Sequence, residues 1–399
     1  MRLHRRDACA TTDDSCMQIA ILRYRVTGWG GAETTLAHLS RGLAAAGHEV
    51  TVYGTDRERA AKEALGPGLG YVPVPVWGGK ALRLLTYAVN VRRLLRQVPS
   101  RLVFSLERTL SQQVYRAGDG CHREWLARRE PLLSPGARLA QRLRPLHRAM
   151  LFLEKRLFAD PGLKRVIANS HQVKTEIIRH YGLDPERLRV IHNGLDRRKF
   201  CPLEEAAAAG LKERLGAPPR TPVILFVGSG FKRKGLTYLI EALGSLNNRQ
   251  SLLWVVGKDH PGPYQRLAEG LGCGDRVRFW GPQPETAPFY QAATMLALPT
   301  LYDPCSNVVL EALACGTPVV TTAANGAGEF VSPGLNGEIL TQPDDAAALG
   351  AALTAYLDRG FDPLVRRAAG EAVAALNWEA TVAQTITVLE EAAAESRVG

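Results

Sequence analysis

The sequence lacks a cysteine framework. Seven cysteines are scattered over 399 residues without a CxxC pair, which argues against a disulfide scaffold or a zinc site of that spacing and fits a reducing cytoplasm. It also lacks any apolar run of membrane-spanning length. The first sixteen residues, MRLHRRDACATTDDSC, have no signal-peptide apolar segment. They read as a disordered tail, or as an upstream extension of a chain that starts at Met17. No DxD follows a strand, and Asp344-Asp345 falls in a polar stretch, so no metal or other cofactor is expected. No aromatic stripe interleaves the arginines, as a single-strand nucleic-acid groove would require.

What is present is a globular composition, 46% hydrophobic and 22% charged. The length exceeds one ordinary core and predicts two domains. The net charge of +11 is lopsided. Residues 1–195 hold 32 Lys and Arg against 17 Asp and Glu, a balance of +15, whereas residues 196–399 hold 18 against 22, a balance of −4. The excess concentrates in Arg83–Arg165, which points to a polyanion: nucleic acid, an anionic membrane or an anionic substrate.

The chain is organised around Pro299–Thr322, PTLYDPCSNVVLEALACGTPVVTT. An apolar strand ends at Pro299, and a loop follows with Asp303, Cys305, Ser306 and Asn307. Val308–Cys315 reads as a helix closed by Gly316, and Thr317–Thr321 as the next strand. Open α/β sheets bind ligands between a strand's carboxyl end and a helix start, and the helix start suits phosphate. Asp303 and Glu311, eight positions apart, reach two parts of one elongated ligand.

Each half opens with strand, glycine loop and helix. The first has Met17–Arg23, then Thr27-Gly28-Trp29-Gly30-Gly31, a helix over 32–46 and a strand at Glu49–Tyr53. The spacing is not the dinucleotide fingerprint, because the third glycine and the strand-end acid are missing. Further strands are predicted at Tyr71–Val76, Leu102–Ser105, Arg165–Asn169 and Arg189–His192, with a strand-to-loop segment at Val114–Trp125 that carries Asp119 and His122. A lone histidine beside an aromatic is read as packing. The second half has a strand over 222–227 and then Gly228-Ser229-Gly230-Phe231-Lys232-Arg233-Lys234-Gly235, whose amides and cations suit a diphosphate. Lys234 is expected in a solvent-filled cleft. Strands follow at 252–256, 277–280 and 296–299, the first ended by Gly257, Lys258 and Asp259. Ala137–Phe158 has leucines on one face, arginines on its flanks, and Pro145 as a bend. That pattern fits an anionic membrane surface or ordinary packing.

These motifs resemble retaining glycosyltransferase family 4. The resemblance rests on Asp303…Glu311, Gly316–Pro318, Asn325–Gly326 with Glu329, the glycine–Arg233–Lys234–glycine loop, and HNGLDRRKFCP at His192–Pro202 as an interdomain linker. The glycine turn, the Asp119 loop, Ser229 and the basic helical stretch are similar to the bacterial lipopolysaccharide-core glucosyltransferases. The resemblance implies the α/β GT-B fold, two Rossmann-like doubly wound domains facing a central cleft. Its parts would be a tail (1–16), an acceptor domain (17–195), a linker (196–202), a nucleotide-sugar domain (203–376) and a terminal helix (377–399) crossing back. It implies hexose transfer with retention from a nucleoside diphosphate sugar, UDP-glucose or related, to a glycolipid, lipopolysaccharide-core or other glycan acceptor. The enzyme would work on the cytoplasmic face of an anionic membrane, without nucleic acid. Asp119, Arg233, Lys234 and Asp303 would serve catalysis. Gly30, Gly31, Ser229, Arg233, Lys234, Gly257, Asp303, Cys305, Ser306, Asn307, Val308 and Glu311 would hold the donor, with Asp303 on the hexose and Glu311 on the ribose. Asp303 stands where Glu is commoner, shorter by roughly 1–1.5 Å of reach. A nucleotide-sugar epimerase of the same fold and a basic nucleic-acid-binding protein are the alternatives.

Overall fold

The computed structural model describes residues 16–27, 30–98 and 101–398. The expected tail, but for Cys16, and two residues of the first glycine turn lie outside them. Among the described residues, parallel strands form two sheets. The first contains β1 (Gln18–Leu22), β2 (Glu49–Gly54), β3 (Gly70–Pro73), β4 (Leu102–Ser105), β5 (Val114–Ala117), β6 (Arg165–Ala168) and β7 (Leu188–Val190), in the order β3-β2-β1-β4-β5-β6-β7. The second contains β8 (Val223–Val227), β9 (Leu252–Val256), β10 (Val277–Gly281), β11 (Met295–Leu298), β12 (Val319–Thr322) and β13 (Gly337–Leu340), in the order β10-β9-β8-β11-β12-β13.

By compactness the chain divides into two units. One runs up to Tyr115 and adds Phe152–Arg165 and the chain from Ile386 onward. Its β1 is buried from Ile19 to Leu22, as a strand covered on both faces requires. Ile19 faces Val50 of β2 and Leu102 of β4, so the strand order reverses beside β1. The Gly31–Ala45 helix leaves the loop after β1 and buries Leu36, Leu39 and Leu43 at helical spacing. That loop is braced where Arg23 meets Glu107 at 2.9 Å and Glu33 at 3.7 Å. Arg108 and Glu154 form a buried ion pair at 2.9 Å.

The other unit holds Arg116–Leu151 and Val166–Thr385. All five residues of β8 are buried. Leu225 faces Trp254 of β9 on one side and Leu296 of β11 on the other. The order therefore reverses between β8 and β11, and the loops after these strands open at that switch point, where doubly wound sheets bind ligands. They are the two loops that the sequence singles out, Gly228–Gly235 and Pro299–Ser306.

Local differences from the sequence reading have plain causes. Ala137–Phe158 is not one bent helix but two, Pro135–Leu143 and Pro145–Phe158. Arg144, the residue before the proline, is extended (φ −62°, ψ 119°), as the proline ring demands. Leu139 and Leu143 consequently face solvent, while Leu153 and Leu157 are buried. Val114–Trp125 becomes β5, a turn and the His122–Arg129 helix.

Candidate active site

The site grows from the turn after β11. Asp303 is held by its main chain: its amide donates to Ala324 O and its carbonyl accepts from Gly326 N, both at 2.9 Å. The Asn325 side chain accepts the Ser306 amide at 3.2 Å and donates to Thr321 Oγ1 at 3.0 Å. The downstream Asn-Gly pair thus shapes the acidic loop. The Asn307–Ala314 helix then starts from Ser306, whose side chain makes no capping bond. Its first-turn amides, at Asn307 and Val308, have no intrahelical acceptor by geometry. The Asn307 side chain accepts from Asn193 at 2.7 Å.

The turn after β8 supplies the opposite charge. Phe231–Lys234 forms one helical turn, stopped by Gly235 at φ 81°. A Cβ at Gly235 would overlap the carbonyl oxygen of Pro299, so the two loops meet only because this residue has none. Lys234 Nζ donates to Asp303 Oδ2 at 2.9 Å and to Ser306 Oγ at 3.4 Å. Arg233 Nη1 donates to Tyr302 O at 2.7 Å and to Asp303 Oδ2 at 3.2 Å. Lys234 and Asp303 are both buried, which corrects the expectation of a lysine in solvent. Burial pushes the Asp303 carboxyl up, but Lys234 and Arg233 more than reverse this, so its pKa lies below the ordinary value. Burial, joined by the Arg233 charge, lowers the Lys234 pKa against the pull of Asp303.

Glu311 is half-buried on the helix and accepts from Tyr290 Oη at 2.8 Å. Burial raises its pKa, against that hydrogen bond and the charges of Lys199 and Lys234. Cys305 is buried, and its thiol is pushed up by burial, as in a small core filler. Gly257 ends β9 and donates to Gly281 O at 3.0 Å. Ser229 and Val308 are half-buried. Asp119 is exposed on the turn after β5. Gly30 and Gly31 open the first helix in the other unit. His122 packs on His147, Nε2 to Nδ1 at 3.2 Å. Among the described residues no group of three or more His, Cys, Asp or Glu is arranged to hold a metal ion.

Sequence reading missed the partners of several anchors. The Asp259 carboxylate, named only as ending β9, accepts from Gly230 N (2.9 and 3.0 Å) and Phe231 N (2.8 Å), so these loop amides are engaged within the protein. Tyr302 is buried, and its hydroxyl reaches Glu176 and the Cys121 amide. Glu329 accepts from His192 Nε2 at 2.6 Å and from His171 N at 3.2 Å. Tyr302 directly precedes Asp303, which was the one local clue; its partners lie far off in sequence.

Two family models match the chain: Glycosyltransferase Family 4 over residues 29–199 and Glycosyl transferases group 1 over residues 221–359. The chain belongs to the family 4 glycosyltransferases. This glycosyltransferase is 28% identical to the lipopolysaccharide glucosyltransferase WaaG of Escherichia coli (strain K12) over 82% of its own length and 86% of the relative. It is 33% identical to the D-inositol 3-phosphate glycosyltransferase of Salinispora tropica over 65% of its length and 57% of that relative. The crystal structure of WaaG, a glycosyltransferase involved in lipopolysaccharide biosynthesis, superposes with a TM-score of 0.79 at 25% identity, covering 93% of this chain and 99% of that one. The enzyme is a hexosyltransferase with the GT-B fold, its two Rossmann-like domains each built on a parallel sheet.

Proposed function

We propose that this glycosyltransferase moves a hexose, with retention, from a nucleoside diphosphate sugar such as UDP-glucose to a glycolipid or other cell-surface glycan acceptor. The observation that carries the reading is the meeting of Lys234, Arg233 and Asp303 at the β8/β11 switch, beside the start of the Asn307–Ala314 helix. The amides at Asn307 and Val308 and the two cations suit the diphosphate. Asp303 takes a hexose hydroxyl, and Glu311, five residues into the helix, takes the ribose. No carboxylate need attack the sugar. The leaving diphosphate accepts the acceptor's proton as displacement proceeds on the same face. Lys234 and Arg233 meet the charge that grows on it, which is electrostatic catalysis.

The acceptor side of the proposal rests on surface chemistry and on the lipopolysaccharide relative. Leu132, Leu139 and Leu143 are 43%, 59% and 60% exposed, among the exposed Arg138, Arg142, Arg144 and Arg148. Apolar and basic groups together suit an anionic membrane face, where a glycolipid would wait. Among the described residues no helix is long and apolar enough to cross a membrane. The test is turnover of UDP-, GDP- and ADP-glucose with lipopolysaccharide core oligosaccharide as acceptor, the product anomer being read by NMR. An inverted anomer, or no turnover of any donor, refutes the proposal.

A further inference from the structure

The Asp303 loop is tethered through the residue before it. The Tyr302 hydroxyl donates to Glu176 Oε2 at 2.6 Å and accepts from the Cys121 amide at 3.0 Å. The Tyr302 carbonyl accepts from Arg233 at 2.7 Å. One buried tyrosine therefore joins the His171–Tyr181 helix, the start of the His122–Arg129 helix and the phosphate-side arginine, immediately beside the sugar-side acid. The approach is close: a Cβ on Gly120, which sits at φ +65°, would overlap the Tyr302 hydroxyl.

We infer that Tyr302, held by Glu176, is a positioning residue for hexose transfer, fixing the Asp303 carboxylate against Lys234 and tying the Asp119–Cys121 turn to it. The inference rests on the transferase reading above. Glu176 is itself buried. Gln172 on its own helix donates to it at 3.0 Å, and Arg128 of the His122–Arg129 helix stands at 3.9 Å. Glu124 on that same helix faces it and is bound by Arg128 (2.8 Å), His180 (2.7 Å) and Arg179. On the Gly326–Phe330 turn the charged residue is Glu329, which takes the His171 amide. Burial pushes Glu176 up to about 7, with the Tyr302 bond opposing and the Glu124 charge adding. Burial and the Glu176 charge hold the Tyr302 phenol protonated. Above pH 7 the phenol donates to a carboxylate. Below pH 7 it donates to a neutral acid, a bond about half as strong.

The test uses the full-length enzyme, UDP-glucose with core oligosaccharide for turnover, and UDP for calorimetry. Tyr302→Phe removes both hydroxyl bonds, the one to Glu176 and the one from the Cys121 amide, and should lower kcat by at least about tenfold, while UDP affinity stays within about twofold. Wild-type kcat should fall as pH drops through about 7, and Glu176→Gln should lack that inflection. The double variant should be no slower than Tyr302→Phe alone. Wild-type kcat in Tyr302→Phe, an equal loss of UDP affinity, or an inflection that survives in Glu176→Gln would overturn the inference. Failure of the wild-type enzyme to use any nucleoside diphosphate sugar would overturn the transferase reading, and the inference with it.

Discussion

Lys234 and Asp303 share a 2.9 Å ion pair in which both side chains are about nine-tenths buried. The pair joins the Gly228–Gly235 loop to the Pro299–Ser306 loop. Replacing Lys234 by Met should therefore do two things. kcat/KM should fall by roughly 10²–10³, as expected for a charge aimed at the transition state. The melting temperature should also drop, because a buried carboxylate loses its main partner at a cost of about 3–5 kcal/mol. The sign in pH follows: Asp303 has a depressed folded pKa, so the pair's stabilisation is present above the ordinary Asp pKa and is lost as pH falls through the folded one. In the variant that acid-side loss should shrink. Thermal melts across pH 2–8 check it, and a variant with wild-type turnover would sink the diphosphate assignment.

The two acids should separate in binding experiments. Glu311→Gln keeps an acceptor for Tyr290 but loses the charge, so UDP and UDP-glucose should both bind more weakly. Asp303→Asn should weaken UDP-glucose and leave UDP unchanged or tighter, since Lys234 is released toward the phosphates. Calorimetry with both ligands decides, and equal losses in the Asp303 variant would refute the division of roles.

Asp259 caps the Phe231–Lys234 turn through two amides. Asp259→Ala should lower stability by about 1–2 kcal/mol, as for lost caps elsewhere. It should also raise the KM for donor, because Arg233 and Lys234 sit on that turn. Tighter UDP binding in Asp259→Asn would show instead that the carboxylate competes with the diphosphate.

Membrane binding should be electrostatic with a shallow apolar part. Vesicles with anionic lipid should pellet the enzyme at low salt and release it at high salt, and neutral vesicles should bind poorly. Gln at Arg138, Arg142, Arg144 and Arg148, or Ser at the exposed Leu139 and Leu143, should abolish pelleting without changing UDP affinity. Salt-independent pelleting would contradict this.

Legibility in the sequence followed locality. The β8 run VILFV, the β11 run MLAL and the Gly235 and Gly316 stops are short-range signals, and each lies within about a residue of its expected place. Asp303, Arg233 and Lys234 could be expected at one switch point because they stand in those loops. Partnerships across the fold were not: Tyr302 finds Glu176 126 positions away, and Asp259 finds Gly230 across 29. Pro145 announced a break, but its severity was set by the extended Arg144. β13, GEIL, is four residues and half-buried in the middle, too short for a period to stand out.

Gly235 presses against the Pro299 carbonyl and Gly120 against the Tyr302 hydroxyl, at the two ends of the Pro299–Tyr302 segment. That crowding limits how this enzyme can acquire a new donor. A loop packed this closely at both ends has little room to slide, so a change of sugar should come from side chains in the loops themselves. Libraries at Ser229, Asp303 and Ser306 should yield altered hexose preference, while side chains introduced at Gly235 or Gly120 should yield inactive protein regardless of the sugar supplied.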